Sequence, residues 1–142
     1  MISPQAFYEC LEKEGVEFFS GVPDSLLKEF CEYVDKTLPP SQHVIAANEG
    51  TAVGLAAGSY LAKGKLPLVY LQNSGLGNLV NPILSLSDPQ VYGLPMILMV
   101  GWRGEPGKKD EPQHIKQGRV TTKMLSAMEL PWRIIDGDEL ND

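Results

Sequence analysis

Five short apolar runs, at residues 16–20, 43–47, 66–71, 95–100 and 132–135, alternate with stretches whose apolar residues recur at helical spacing. Two parallel strands need a crossover of a dozen or more residues, usually a helix, and these intervals supply one. The chain is therefore expected to be α/β, with a parallel β-sheet sandwiched by helices in three layers. At 142 residues it has the length of one domain, and neither an internal repeat nor a linker divides it.

Punctuation between the runs fits that pattern. Ser3 caps a helix that opens on Pro4, carries Phe7 and Leu11 inward with Ala6 and Cys10, and stops at Gly15. After Gly21-Val22-Pro23-Asp24, a second helix is expected over 25–36, with Leu26, Leu27, Phe30 and Val34 facing inward. Asn48 is the expected cap of a third helix, which Gly64 ends. A fourth runs to about Leu86 and closes at Asp88-Pro89, and a fifth lies near 121–129. The run 44–47 reads as a short buried strand, and 95–100, nearly all apolar, as a strand buried on both faces. Residues 101–120 read as a long polar segment without regular structure. Asp136-Gly137-Asp138 reads as a turn after the last strand rather than a metal loop.

Composition removes several functional classes. Apolar residues make up 43% and charged residues 21%, an ordinary balance for a soluble globular protein. The net charge of −6 and the lack of a basic stripe argue against a nucleic-acid surface. No apolar run approaches the roughly 20 residues that span a membrane, and Met1-Ile2-Ser3-Pro4-Gln5 lacks the character of a signal peptide. Cys10 and Cys31 have no metal-ligand neighbours and read as small core residues in a reducing compartment, so no metal is expected on the chain and the expected location is cytoplasmic.

In parallel sheets of this kind, ligands bind beyond the carboxyl ends of the strands. The segments that follow strands here collect Asp24, Ser25, Glu49, Asn73, Ser74, Asn78, Arg103, Glu105, Asp110, Glu111 and His114 on one edge. Glu49 stands out among them. A helix dipole alone accounts for a glutamate in a first turn, but the residues at 50, 52, 54, 56, 57 and 58 are all very small. Such a helix lets another backbone or a flat ligand approach the acid closely.

Other segments on this edge carry weaker signals. Gln72-Asn73-Ser74-Gly75-Leu76-Gly77-Asn78 is neither GxGxxG nor a Walker sequence, so it reads as a helix-capping turn or as donors to a ligand at a helix terminus. Arg103 suits an anionic substrate group, and suits Asp110 or Glu111 equally well. His114 has the chemistry of a general acid/base, whereas His43, at the start of a strand, reads as structural. Ser74 lacks the Gly-x-Ser-x-Gly elbow of a nucleophile.

Four segments together carry a resemblance: Gly21-Val22-Pro23-Asp24-Ser25; Asn48-Glu49-Gly50 with its small-residue helix; residues 72–78 followed by Asn81-Pro82; and residues 101–107 with Asp110-Glu111-Pro112-Gln113-His114. The chain resembles the pyrimidine-binding (PYR) domain of thiamine-diphosphate-dependent enzymes, most of all the phosphonopyruvate decarboxylases and the related sulfopyruvate decarboxylase alpha subunits. The resemblance implies that Glu49 hydrogen-bonds N1′ of the cofactor aminopyrimidine. That contact favours the imino tautomer that generates the ylide at thiazolium C2, which attacks a 2-oxo acid and releases CO2. It implies cofactor contacts at Glu49, Gly21, Pro23, Asn73, Ser74 and Asn78, catalysis by Glu49 and His114, and substrate contacts at Asp24, Ser25 and Arg103. For phosphonopyruvate the product would be phosphonoacetaldehyde.

The Gly-Asp-Gly motif with a downstream Asn that holds Mg2+ and diphosphate in this family does not occur in the chain. The expectation is half of an active site, completed by a diphosphate-binding domain or beta subunit within a homo-oligomer or larger assembly. The competing readings are a non-catalytic assembly or regulatory domain with the same fold and, more weakly, a nucleotide binder.

Overall fold

Four strands lie side by side in the order β2-β1-β3-β4, every neighbouring pair parallel. The computed structural model describes residues 3–135; the turn expected at Asp136-Gly137-Asp138 lies outside them. In chain order the elements are α1 (Pro4–Lys13), β1 (Val16–Gly21), α2 (Lys28–Thr37), β2 (His43–Ile45), α3 (Glu49–Lys63), β3 (Leu66–Gln72), a 3-10 turn (Asn73–Gly75), α4 (Leu76–Leu86), β4 (Ile97–Gly101) and α5 (Pro112–Ala127). The expected caps form. Ser3 Oγ accepts from Ala6 N–H with Pro4 at the first helical position, and Asn48 accepts from Thr51 N–H.

The strand order explains the three layers. From β1 the chain steps outward to β2, then passes back over β1 to reach β3. Right-handed crossovers in opposite directions must put α2 and α3 on opposite faces of the sheet. The alternating residues of β1 and β3 divide accordingly. Phe19, Leu68 and Tyr70 pack under α1 and α2 with Leu11, Phe30 and Val34. Val69 and Leu71 pack under α3, α4 and α5 with Val53, Leu79, Ile83 and Leu125.

Burial departs from the sequence expectation where strands lie at edges. β2 ends the sheet on one side, so Ile45 is 54% exposed instead of buried. β4 ends it on the other, and Ile97 to Val100 are half-buried instead of covered on both faces. Residues 132–135, expected to be a fifth strand, have no strand structure and leave that edge of β4 unpaired among the described residues. Leu26, expected inward, is exposed because helix α2 begins at Lys28 rather than Ser25. Cys10, expected in the core, is exposed, while Cys31 is buried; both are free thiols.

The largest difference is α5. It starts at Pro112, not near 121, so the loop after β4 is half its expected length. Its first turns face solvent with Gln113, Ile115 and Lys116, which hides the helical period in a polar run.

Candidate active site

Because all four strands run the same way, the segments that leave β1, β3 and β4, together with the segment from β2 into α3, share one edge. The crossovers diverge between β1 and β3, the arrangement that opens a crevice at the strand ends. Glu49 begins α3 at this edge and is buried, 8% exposed. Its Oε2 accepts a hydrogen bond from Asn78 Nδ2 at 2.7 Å. Oε1 lies over Gly75, where any Cβ would collide with it.

Asn78 is itself held by helix geometry. Pro82, inside α4, has no N–H for the Asn78 carbonyl four residues back. Gly50 packs against that carbonyl, with space for a Cβ only 3.0 Å from the oxygen. The small residues of α3 therefore have a concrete use in its first turn. They let α3 and α4 meet closely enough for Asn78 to reach Glu49.

A second network joins the ends of β3 and β4. Asn73 donates from Nδ2 to the Arg103 carbonyl at 2.8 Å, and its Oδ1 accepts from Arg103 N–H at 3.2 Å. Nδ2 also donates to Thr121 Oγ1 at 2.9 Å. Asn73 was expected to donate to a ligand, but its buried side chain acts inside the protein, bracing the loop after β4 against α5. Thr121 carries no sequence signal for this role.

Arg103 resolves the choice that its sequence left open. Nε donates to Asp110 Oδ2 at 2.9 Å, Nη2 pairs with Asp110 Oδ1, and Nη1 reaches Ser25 Oγ at 2.8 Å. Asp110 also accepts from the backbone N–H groups of Gly104 and Glu111. The hydrogen bonds from Arg103 hold the Asp110 carboxyl well below the usual carboxylate range. Asp24, beside Ser25, is 5% exposed; its burial raises the carboxyl pKa.

The remaining expected residues fall on the same edge with different degrees of engagement. Gly21 ends β1 so close to Tyr70 that no side chain fits, and Pro23 is exposed in the following loop. Ser74 Oγ accepts from Gln72 Nε2 at 2.6 Å. His114 sits in the first turn of α5, and its buried Nδ1 has no hydrogen-bond partner among the described residues. No hydrogen bond or ion pair among the described residues joins His114 to Glu49. His43 is structural, as expected: it is buried with Nε2 2.8 Å from Tyr70 Oη and Nδ1 3.4 Å from Asp35.

The Glu49 site suits one edge of a flat nitrogen heterocycle. It offers a carboxylate held through one oxygen, with Gly75 and Gly50 beside it instead of side chains that would crowd a ring. No group of three or more His, Cys, Asp or Glu able to hold a metal occurs among the described residues. No described helix is long and apolar enough to cross a membrane.

Comparison with known proteins places this geometry in context. Residues 3–126 match the family described as thiamine pyrophosphate enzyme, N-terminal TPP binding domain. A phosphonopyruvate decarboxylase of Streptomyces viridochromogenes is 40% identical over 129 residues, which cover 89% of this chain and 32% of that protein. A sulfopyruvate decarboxylase subunit alpha of Methanothermobacter thermautotrophicus is 37% identical over 131 residues, covering 92% of this chain and 76% of that subunit. The chain thus spans about a third of the length of the phosphonopyruvate decarboxylases it matches. Benzoylformate decarboxylase from Polynucleobacter necessarius shares the fold, with a TM-score of 0.58 at 22% identity, over 71% of this chain and 18% of that one.

Proposed function

The chain belongs to the family of N-terminal TPP-binding domains of thiamine pyrophosphate enzymes, and from that premise we propose that it is the pyrimidine-binding part of a decarboxylase acting on an anionic three-carbon 2-oxo acid. The preferred substrate in this reading is 3-phosphonopyruvate, giving phosphonoacetaldehyde and CO2. The observation that carries the reading is Glu49, buried at the strand edge, gripped by Asn78 and set over a glycine that leaves room for a ring.

The residues present fit the pyrimidine end of thiamine diphosphate. Glu49 would hold the proton shared with a ring nitrogen, Asn78 would keep its carboxylate oriented, and the backbone of Gly21 to Pro23 with Ser74 would border the ring. When bound, the cofactor supplies an electron sink for the carbanion left by loss of CO2. Arg103 and Ser25 support recognition of the acidic substrate, with Arg103 fixed by Asp110. His114 remains the candidate for proton transfer, placed at this edge in the first turn of α5.

Diphosphate and Mg2+ belong, in this proposal, to a second domain or a beta subunit, and the chain by itself has no decarboxylase activity and at most weak cofactor binding. Leu55 and Leu61, left exposed on α3, support assembly with further subunits. A second reading, the alpha subunit of a two-chain sulfopyruvate decarboxylase, is favoured by one observation: the 37% identity to such a subunit over 131 residues. Steady-state kinetics of the assembled enzyme on both acids tests the proposal. A higher kcat/KM for phosphonopyruvate is expected, a preference for sulfopyruvate selects the second reading, and turnover of neither acid overturns both.

A further inference from the structure

Three consecutive residues of the loop after β4 are seated on a single turn of α5. Trp102 Nε1 donates to the Gly118 carbonyl at 2.9 Å. Gly104 lies so close to Gly118 that a Cβ on residue 118 would strike the Gly104 carbonyl. A glycine inside a helix costs stability, and here it makes that approach possible. Between these two contacts, Arg103 is tied to the helix through Asn73 and Thr121.

Asn73 and Thr121 are both buried. The Asn73 amide pairs with the Arg103 backbone as a second peptide group would, accepting from its N–H through Oδ1 and donating to its carbonyl through Nδ2. The other hydrogen on Nδ2 goes to Thr121 Oγ1. Thr121 gives its own hydroxyl hydrogen to the Gln117 carbonyl at 2.8 Å, one helical turn back, so its oxygen is left to accept. The direction of each hydrogen bond in this relay is thereby set.

Asp110 holds the Arg103 guanidinium, but it belongs to the same loop and would move with it. Ser25, which is exposed, reaches a single guanidinium nitrogen. The loop is located against the sheet and α5 by the relay from Asn73 to Thr121, with Gly118 beside it. We propose that Thr121 is a positioning residue for substrate recognition: it anchors Asn73 to α5, and so fixes the backbone of Arg103 and the place its guanidinium takes at the strand edge. Glu49 is held separately, by Asn78 of α4, so the cofactor side does not depend on Thr121. The role of Arg103 toward substrate rests on the decarboxylase reading; the anchoring of its backbone does not.

Thr121→Val keeps the branched shape and removes the hydroxyl, whereas Thr121→Ser keeps the hydroxyl; both are made in the assembled enzyme. Amide hydrogen exchange in peptides covering residues 101–107 should be faster in Thr121→Val than in the wild type, and restored in Thr121→Ser. With phosphonopyruvate, Thr121→Val should raise KM about tenfold, the scale of one lost hydrogen bond, with kcat and thiamine diphosphate affinity near wild type. Thr121→Ser should return KM to near the wild-type value. Thr121→Ala, as a second variant, should show the same split between KM and kcat. In an Arg103→Ala background, Thr121→Val should add no further rise in KM, because the side chain it positions is gone. Wild-type exchange and KM in Thr121→Val overturn the proposal, as expected if the hydroxyl only bonds back within its own helix. So does a loss carried by kcat or by cofactor binding, or one that Thr121→Ser fails to restore. If exchange responds as expected but the wild type turns over neither acid, the decarboxylase reading fails and the anchoring of Arg103 stands.

Discussion

Asn78 Nδ2 lies 2.7 Å from Glu49 Oε2, so a residue in the first turn of α4 fixes the carboxylate that begins α3. Two backbone features bring the pair together. Pro82 withholds the N–H that would otherwise meet the Asn78 carbonyl, and Gly50 lets α3 settle against that carbonyl. Asn78 is therefore a positioning residue for Glu49, and its place in the sequence motif reflects a contact within the protein.

Glu49→Gln isolates the ionisable function. Glutamine can still accept from Asn78 through its amide oxygen, so the fold should be retained. Loss of the acid should lower kcat of the assembled enzyme by about 10²–10⁴, the usual scale of a general acid/base contribution. Steady-state kinetics and thermal unfolding of the same preparation check both statements. A near-normal rate would favour the non-catalytic assembly reading.

Gly75→Ala tests the geometry instead of the charge. The added methyl would occupy the space of Glu49 Oε1 and displace the carboxylate from Asn78. A misplacement of this size in an active site costs about 10²-fold in rate. The expected result is that loss in kcat/KM together with weaker thiamine diphosphate binding, read by calorimetry, while circular dichroism keeps its native α/β signature.

Much of this was legible in the residues. The alternation of apolar runs and helical periods defines a parallel sheet, and a parallel sheet puts every strand-to-helix segment on one edge. Residue spacing does not reveal strand order, which decides that β2 and β4 are edges and that Ile45 is exposed. Side-chain pairing was legible only as an open choice at Arg103, and not at all at Asn73. Asn73 and Arg103 both look like ligand donors as residue types, yet Asn73 binds the backbone of Arg103, and Arg103 is held by Asp110 seven residues later. The start of α5 was hidden because its exposed first turns are polar, and a helix opening on Pro112 reads as loop when no apolar stripe accompanies it.

Asp110 gives a prediction at low pH. Its folded pKa is depressed by Arg103, so its contribution to stability is present above the unfolded value and is lost as pH falls through the folded one. With an unfolded value of about 3.9, the loss should begin below about pH 4. Thermal unfolding across that range should show a shallower acid slope in Asp110→Asn than in the wild type. Because Asp110 also accepts from Gly104 and Glu111 N–H, the variant should be less stable at neutral pH as well. Equal slopes would mean that the Arg103 pair does not govern acid stability.

His43 and Tyr70 give a second pH signature, away from the site and of different origin. His43 is buried between Asp35 and the Tyr70 hydroxyl, and burial lowers its pKa despite the nearby Asp35. A histidine whose folded pKa is depressed binds its proton more readily when unfolded. Its contribution is therefore full at neutral pH and declines as pH falls below the unfolded value of about 6.5. The wild type should lose thermal stability as pH falls below about 6.5, and His43→Gln should flatten that decline while lowering stability at pH 8. Tyr70→Phe removes the hydroxyl partner inside a fully buried environment, leaving His43 Nε2 without its bond. A buried polar group left unpaired costs about 1–3 kcal/mol, measurable by urea unfolding at pH 8. Kinetic constants of the assembled enzyme should remain close to wild type in Tyr70→Phe, since Tyr70 faces the α1/α2 side of the sheet, under Phe30 and Val34.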